Sequence, residues 1–141
     1  MLQFTALLVV FAGCGSDQLR FERVGGGKRE EIALPLASFE GLRDGDAVRA
    51  RLRLQNSGDF AELQMILHLG PPAAFQSGTY QVQIGGQPAS GSLSCLSLKY
   101  LGGQNATPSV GGVFVLNDPA GQPLYQLRLP ATPMQRRSLQ P

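Results

Sequence analysis

Short runs in which apolar and polar residues alternate make up most of the chain after Ile32, and turn-forming pairs such as Asp44-Gly45 and Gly85-Gly86 separate them. Alternation with a period of two places one set of side chains on each face of a β-strand. The pattern predicts strands over residues 32–39, 47–55, 60–69, 79–84, 92–101, 112–116 and 124–129. We therefore expect an all-β fold, a single antiparallel β-sandwich or small β-barrel of about seven strands.

The clearest alternation lies in residues 47–55, which we expect to pair with residues 60–69 across a turn at Ser57-Gly58. This register sets apolar residues opposite apolar ones and polar residues opposite polar ones. The predicted pairs are Val48 with Leu67, Ala50 with Met65, Leu52 with Leu63, Arg51 with Gln64 and Arg53 with Glu62. A helix over residues 60–69 is the alternative, because its apolar residues also fit a period of 3.6.

The predicted β-domain covers residues 32–129, and the segments on either side of it lack a sustained apolar face. Residues 14–31 contain three consecutive glycines among mixed charges, a composition typical of a flexible tether, with a short strand over residues 19–23 as the candidate element. After residue 129 the alternation stops. Residues 130–141 are therefore predicted to be a disordered tail.

The first thirteen residues, MLQFTALLVVFAG, form an apolar run without a charged side chain. As a helix this run would extend ~20 Å, which is shorter than the ~30 Å hydrocarbon core of a bilayer, so it is predicted to be a targeting segment. Its end and the next residue, Phe11-Ala12-Gly13-Cys14, resemble the lipobox of bacterial lipoproteins, in which small residues precede an obligatory cysteine. The alternative is that residues 2–12 form a buried strand or short helix, with Cys14 as a core thiol.

The resemblance to bacterial lipoproteins implies that residues 1–13 are a cleaved signal peptide and that Cys14 carries the lipid. Two or more acyl chains anchor a protein stably, so Cys14 would hold the domain at a membrane and residues 14–31 would be a lipidated tether. The resemblance also implies the outer membrane, because Gly15 stands where the inner-membrane retention signal of the family has Asp. We expect a lipid-anchored protein of the bacterial cell envelope that faces the periplasm.

Composition and charge narrow the range of partners. The chain has 141 residues, 43% of them hydrophobic, which is enough to build a core without a disulfide or a metal. Its formal net charge of +2 is spread along the sequence and does not indicate a nucleic-acid partner. With Cys14 acylated, Cys95 would be the remaining thiol, and we interpret it as a small core residue beside a β-bulge. We expect no cofactor.

Catalytic and metal-binding patterns are scarce in this sequence. The single histidine, His68, is predicted to lie on the solvent face of its strand, and no Gly-x-Ser-x-Gly motif accompanies it. One histidine also excludes a zinc site built on several imidazoles. Asp44 and Asp46 flank a glycine as turn residues do, without the spacing of a calcium loop. The sequence therefore predicts no catalytic residue and no metal site, and we do not expect an enzyme.

Arg49, Arg51 and Arg53 form the densest group of like charges in the predicted domain. Alternate residues of a strand share one face and repeat about every 6.6 Å, so the three guanidinium groups form a row. Such a row is suited to lipid phosphates, lipopolysaccharide or another polyanion. The alternative is that it is the solvated side of the sheet, with Glu62 as a partner.

Together these features predict a membrane-anchored envelope lipoprotein with a non-enzymatic binding or structural β-domain, whose partner is a protein or an anionic envelope polymer. The alternative is a carrier of small apolar ligands, in which the strands close into a β-barrel around a cavity. A filled core favours the first function, and an internal cavity lined by Leu, Val and Tyr favours the second.

Overall fold

The computed structural model describes residues 18–25, 28–68, 72–101 and 108–136, and it contains no α-helix within these ranges. The strands in chain order are β1 (Arg20–Arg23), β2 (Glu30–Ile32), β3 (Leu36–Asp44), β4 (Ala47–Gln55), β5 (Phe60–His68), β6 (Ala74–Ile84), β7 (Gln87–Leu101), β8 (Ser109–Asn117), β9 (Pro123–Pro133) and β10 (Gln135–Arg136). The prediction of an all-β fold is confirmed.

These strands form one sheet in the order β10-β3-β4-β5-β6-β7-β8-β9-β1-β2. Strands β3 to β9 are an antiparallel meander, and β10 pairs with β3 in parallel. Only Met134 separates β9 from β10. Because β10 pairs with β3, the sheet curls far enough to bring the end of β9 beside β3. The fold is a curled half-barrel. The expectation of a two-sheet sandwich or closed barrel of about seven strands is corrected, because three short strands extend the meander of seven long ones.

β-Bulges contribute to the curl of the sheet. The pairing register shifts between Ile66 and Leu67 in β5 and between Cys95 and Ser97 in β7. An extra residue in one strand bends that strand and increases its twist, so these shifts turn the meander around its inner face. The bulge predicted beside Cys95 is confirmed.

The hairpin of β4 and β5 has the predicted register. Leu52 lies opposite Leu63 and Arg53 opposite Glu62, and the side chains of both leucines are fully buried. The side-chain oxygen of Asn56 accepts hydrogen bonds from the backbone N–H groups of Gly58 and Asp59 in the turn. The strand interpretation of residues 60–68 is therefore confirmed over the helical alternative.

The inner face of the sheet carries one hydrophobic cluster to which β1 and β3 to β9 all contribute. The largest fully buried side chains belong to residues from both halves of the meander: Phe21, Leu52, Leu54, Leu63, Leu67, Val82, Val110, Phe114, Leu116 and Leu127. Because the sheet curls, these side chains pack against one another without a second layer of secondary structure.

The segment before residue 32 joins the sheet, which corrects the predicted tether over part of its length. Strand β1 pairs with both β9 and β2. Its Phe21 is buried and stacks on Tyr125, with ring centroids 5.2 Å apart. One aromatic side chain among charged residues shows no apolar periodicity, so the sequence pattern did not reveal how firmly β1 is held.

The segment after residue 129 also differs from the prediction of a disordered tail. Strand β9 continues to Pro133, and Met134 is buried between β9 and β10. The Met134 backbone N–H donates a hydrogen bond to the Pro108 carbonyl oxygen at 2.8 Å, and its thioether packs over Gly41 of β3. The two prolines of residues 130–133 interrupt the alternation without ending the strand, because the edge of β9 that faces away from β8 is unpaired there in the described structure.

Candidate functional site

Arg49, Arg51 and Arg53 lie on the outer face of β4, opposite to the face that carries buried Leu52 and Leu54. Arg49 is exposed, whereas Arg51 and Arg53 are half-buried by the side chains around them. The row that the alternation predicts is therefore present. Its three members, however, have different surroundings.

Arg53 is bound by neighbouring side chains. Its guanidinium donates hydrogen bonds to Glu62 Oε1 at 2.7 Å and to Gln55 Oε1 at 2.9 Å. The guanidinium carbon also lies 4.6 Å from the centroid of the Phe60 ring, a cation–π contact. Arg53 is thus neutralised by the protein itself, as the predicted register implied.

Glu62 stays ionised because of the same neighbours. Burial disfavours its charged form, but hydrogen bonds from Gln64 and Arg53 and the positive charges of Arg53 and Arg51 outweigh burial and lower the pKa of the Glu62 carboxyl. A lowered pKa means that this carboxylate stabilises the fold at neutral pH, and that the contribution is lost as the pH falls through the lowered value.

Arg49 and Arg51 differ from Arg53 in having no carboxylate within ion-pair distance. The four ion pairs within the described ranges are Arg20–Glu31, Arg23–Glu30, Arg29–Glu22 and Arg53–Glu62. Glu40 on β3 lies opposite Arg51 but is not within ion-pair distance of it, and Arg49 lies between Leu42 on β3 and Ile66 on β5. These two guanidinium groups are available to an external anion.

A groove of about 520 Å³ begins beside these two arginines and crosses β4, β5 and β6 on the outer face. Its walls are outward side chains from the three strands: Arg49, Arg51, Gln64, Ile66, Ser77 and Thr79. Its floor is formed by Ala50, Met65 and Gly78. The volume falls in the range of sites that take small molecules or one unit of a polymer.

The groove supplies hydrogen-bond donors around two positive charges. Each guanidinium offers a planar set of N–H donors that suits a phosphate or carboxylate. The Gln64 amide, which donates one hydrogen bond to Glu62 Oε2, lies one strand away from the arginines, and the hydroxyl groups of Ser77 and Thr79 lie two strands away. The hydroxyl groups and the second N–H of Gln64 can bind polar groups next to an anion. This arrangement is chemically suited to an anion, and its lining residues contain no nucleophile–base pair.

Sequence reasoning identified the arginines but not the far wall of the groove. Ser77 and Thr79 of β6 pair with Ile66 and Gln64 of β5, and the predicted strand began only at Thr79. Gln64 was recognised only as the partner of Arg51. The period of two, followed two residues further toward the start of β6, is the signal that would have found Ser77.

The inner face shows one unsatisfied polar group. Tyr80 is 2% exposed, and its hydroxyl has no hydrogen-bond partner among the described residues. Burial, together with the negative charge of Asp118, raises the pKa of this hydroxyl. Tyr80 belongs to the core cluster, whose other members are apolar side chains and Tyr125.

The remaining candidates from the sequence carry no site chemistry. The Cys95 thiol is half-buried and donates a hydrogen bond to the Ser97 carbonyl oxygen at 3.0 Å. Burial raises the pKa of this thiol, which disfavours a reactive thiolate. His68, at the end of β5, is half-buried between the backbones of Ala47 and Ala74. Cys14, the predicted lipidation residue, lies outside the described residues.

The described ranges show neither a metal-binding cluster nor a membrane-spanning helix. No group of three or more His, Cys, Asp and Glu side chains is placed so that it could hold a metal ion. The same residues include no helix that is both long and apolar enough to cross a bilayer.

Comparison of the chain with known protein families, curated proteins and solved structures gives no match. The outer groove, lined by residues of β4, β5 and β6, is the candidate site.

Proposed function

We propose that this protein is a lipid-anchored, non-enzymatic binding domain of the bacterial cell envelope, and that its outer groove holds an anionic envelope component. The observation that carries the proposal is the position of Arg49 and Arg51. They stand without a carboxylate partner at a groove whose far wall bears an amide and two hydroxyl groups.

The lipid anchor at Cys14 would strengthen binding at the anion site of the groove. Single contacts to exposed arginines are weak, because water and salt screen them. A lipid anchor at Cys14 would hold the groove in the same membrane as its ligand. This confinement raises the effective concentration of the ligand and makes a weak site sufficient. The phosphates of lipopolysaccharide and of phospholipids are the anions at such a surface.

Removing both available guanidinium groups is expected to weaken anion binding at least about tenfold. The acylated full-length protein is placed in zwitterionic lipid discs and titrated with deacylated lipopolysaccharide, which is soluble and phosphorylated. The Arg49→Ser, Arg51→Ser variant should bind about tenfold more weakly or worse, because each charged hydrogen bond contributes roughly 1 kcal/mol or more. Binding by the unaltered protein should weaken steeply as salt is raised.

The matched control for this experiment is Lys28→Ser, Arg43→Ser. It removes the same amount of positive charge from exposed positions outside the groove, and it should bind like the unaltered protein. Equal loss in both double variants would mean that only net charge matters. Absence of binding at low salt in every protein would reject the anion site.

Lipidation at Cys14 is expected to appear directly in the intact mass. Protein expressed with its own N-terminal segment and recovered from membranes should lack residues 1–13 and carry the mass of acyl chains. Cys14→Ser should block both changes, because the resemblance to lipoproteins assigns cleavage and acylation to that cysteine. Unprocessed protein with Met1 in the membrane fraction would contradict the anchor.

A carrier of small apolar ligands is the second candidate function, and one observation favours it. The buried Tyr80 hydroxyl lacks a partner within the described structure, and a bound ligand with an acceptor group would satisfy it. The inner face is otherwise occupied by packed side chains. Stoichiometric binding of Nile red, lost in Tyr80→Phe or competed by fatty acid, would favour the carrier over the anion-binding domain.

A further inference from the structure

The pairing of β1 shows at which end of the sheet the N-terminal segment enters. Strand β1 runs antiparallel to β9, with Arg20 opposite Arg128 and Arg23 opposite Tyr125. The chain therefore enters β1 from the end toward which β9 runs. Because neighbouring strands of the meander are antiparallel, the same end holds the last residues of β5 and β7 and the turn between β3 and β4. We call this the anchor end of the sheet.

The distance between the lipid and this end is limited by the chain. Cys14 precedes Arg20 by six residues, and six residues reach roughly 20 Å when fully extended. The nine residues of a strand such as β4 are about 30 Å long. An acylated Cys14 would therefore keep the anchor end, rather than the opposite end, next to the bilayer.

Two of the three exposed large apolar side chains within the described ranges lie on the half of β7 that runs toward the anchor end. Leu96 is 66% exposed and Leu101 is 56% exposed, whereas the third, Leu36, is the first residue of β3. Strand β6 pairs with β7 only over residues 87–92, so residues 93–101 continue with β8 alone among the described strands. We call residues 96–101 the β7 tip. No described strand covers its free edge.

The charges near the β7 tip suit an anionic surface. Lys99 is exposed between the two leucines. Arg128 is exposed on β9. It pairs with Val113 of β8, which in turn pairs with Ser97 of the β7 tip. Exposed leucines beside lysine and arginine are typical of segments that insert shallowly into a headgroup layer.

Acidic groups at the anchor end lie away from the β7 tip or are already paired. Glu31 on β2 forms an ion pair with Arg20, with 3.9 Å between Oε1 and Nε. Asp44 and Asp46 belong to the turn between β3 and β4, on the other side of the curled sheet in strand order. The charge next to Leu96 and Leu101 is therefore positive.

We propose that the β7 tip docks on the lipid bilayer, with Leu96 and Leu101 in the headgroup layer and Lys99 and Arg128 on lipid phosphates. This inference rests on the proposed acylation of Cys14, which brings the anchor end to the membrane. Docking through β7 leaves the outer groove on β4, β5 and β6 uncovered. The domain would thus be held in one orientation, with its anion site beside the membrane surface and open to ligand.

The test is the membrane depth of spin labels on the acylated full-length protein in vesicles that contain phosphatidylglycerol. Labels are attached to Leu96→Cys, Leu101→Cys or Leu36→Cys in a Cys95→Ser background, since acylation would block the thiol of Cys14. All three leucines are exposed, so these changes should preserve the fold. Leu36, an exposed leucine on β3 outside the β7 tip, is the matched control. The mass of each preparation reports whether Cys14 is acylated.

Docking predicts a severalfold rise in the ratio of collisions with oxygen to collisions with a water-soluble nickel chelate at positions 96 and 101. No change is expected at position 36. The rise should be smaller in vesicles without anionic lipid and in the Lys99→Ser, Arg128→Ser variant. In both cases the ion pairs between these side chains and anionic lipid are missing.

Other outcomes overturn the inference in distinguishable ways. If the protein is acylated and all three labels are equally accessible to the nickel chelate, the lipid anchor stands but the docking of the β7 tip is wrong. Labels at 96 and 101 that are shielded from both reagents and broaden one another would assign the β7 tip to a second copy of the chain. Unacylated protein would reject the anchor and, with it, the docking that depends on it.

Discussion

Leu52→Asp is expected to unfold the domain or to lower its free energy of unfolding by roughly 4 kcal/mol or more. Leu52 is fully buried, lies in the middle of β4 and faces Leu63 across the hairpin. The change removes a packed apolar side chain and leaves a carboxylate in the core without a partner. Domains of this kind are stable by only about 5–15 kcal/mol. Urea titration followed by circular dichroism measures the effect.

Arg51→Gln is the matched control, because residue 51 is next to Leu52 but points to the outer face. Its free energy of unfolding should change by about 0.5 kcal/mol or less, as is usual for surface positions. The same variant is expected to weaken anion binding. A comparable loss of stability in both variants would mean that β4 does not separate a buried face from a solvated one.

Met134→Ala is expected to lower the free energy of unfolding by about 2–5 kcal/mol, the usual cost of removing a large buried apolar side chain. Met134 is 3% exposed and connects the end of β9 to β3 through its contact with Gly41. Met134→Leu keeps most of the volume and should cost less than about 1.5 kcal/mol. Thermal and urea unfolding of both variants provide the comparison.

A double-mutant cycle shows whether the effect comes from the Gly41 contact. A Cβ atom on Gly41 would overlap the Met134 sulfur, so Gly41→Ala alone should destabilise by roughly 1–3 kcal/mol. In the Met134→Ala background the overlap is gone, and Gly41→Ala should cost little or even fill the cavity. Additive effects of the two changes would contradict the packing of Met134 on β3.

The two stability predictions concern residues of the core, Leu52 and Met134. The anion-binding predictions concern residues of the outer face, Arg49 and Arg51. Inward residues such as Leu52 form the core, and outward residues such as Arg49 form the proposed binding site. A variant that loses binding while it keeps its unfolding curve therefore reports on the groove. This separation makes Arg49→Ser, Arg51→Ser informative, since neither residue contributes to the core.

The sequence by itself determined the strands whose partners are close in the chain. In β4 and β5 the alternation assigns each side chain to a face, and the short turn at Ser57-Gly58 permits one register. Arg53 and Glu62 were predicted as a pair for this reason, and their contact is confirmed. The row of Arg49 and Arg51 follows from the same local rule.

Only the tertiary structure decided the features that depend on contacts between distant residues. Phe21 is held by Tyr125, Met134 by Gly41, and the groove joins β4 to Ser77 of β6. A single buried side chain has no period, so the sequence indicated β1 only as a short candidate strand and did not reveal the end of β9. The curl of the sheet results from bulges and strand twist, whose small bends accumulate over many strands. For this reason the sequence predicted the strand segments and the pairing of residues 47–55 with 60–69, whereas the order of the strands and their curling into a half-barrel became visible only in the folded chain.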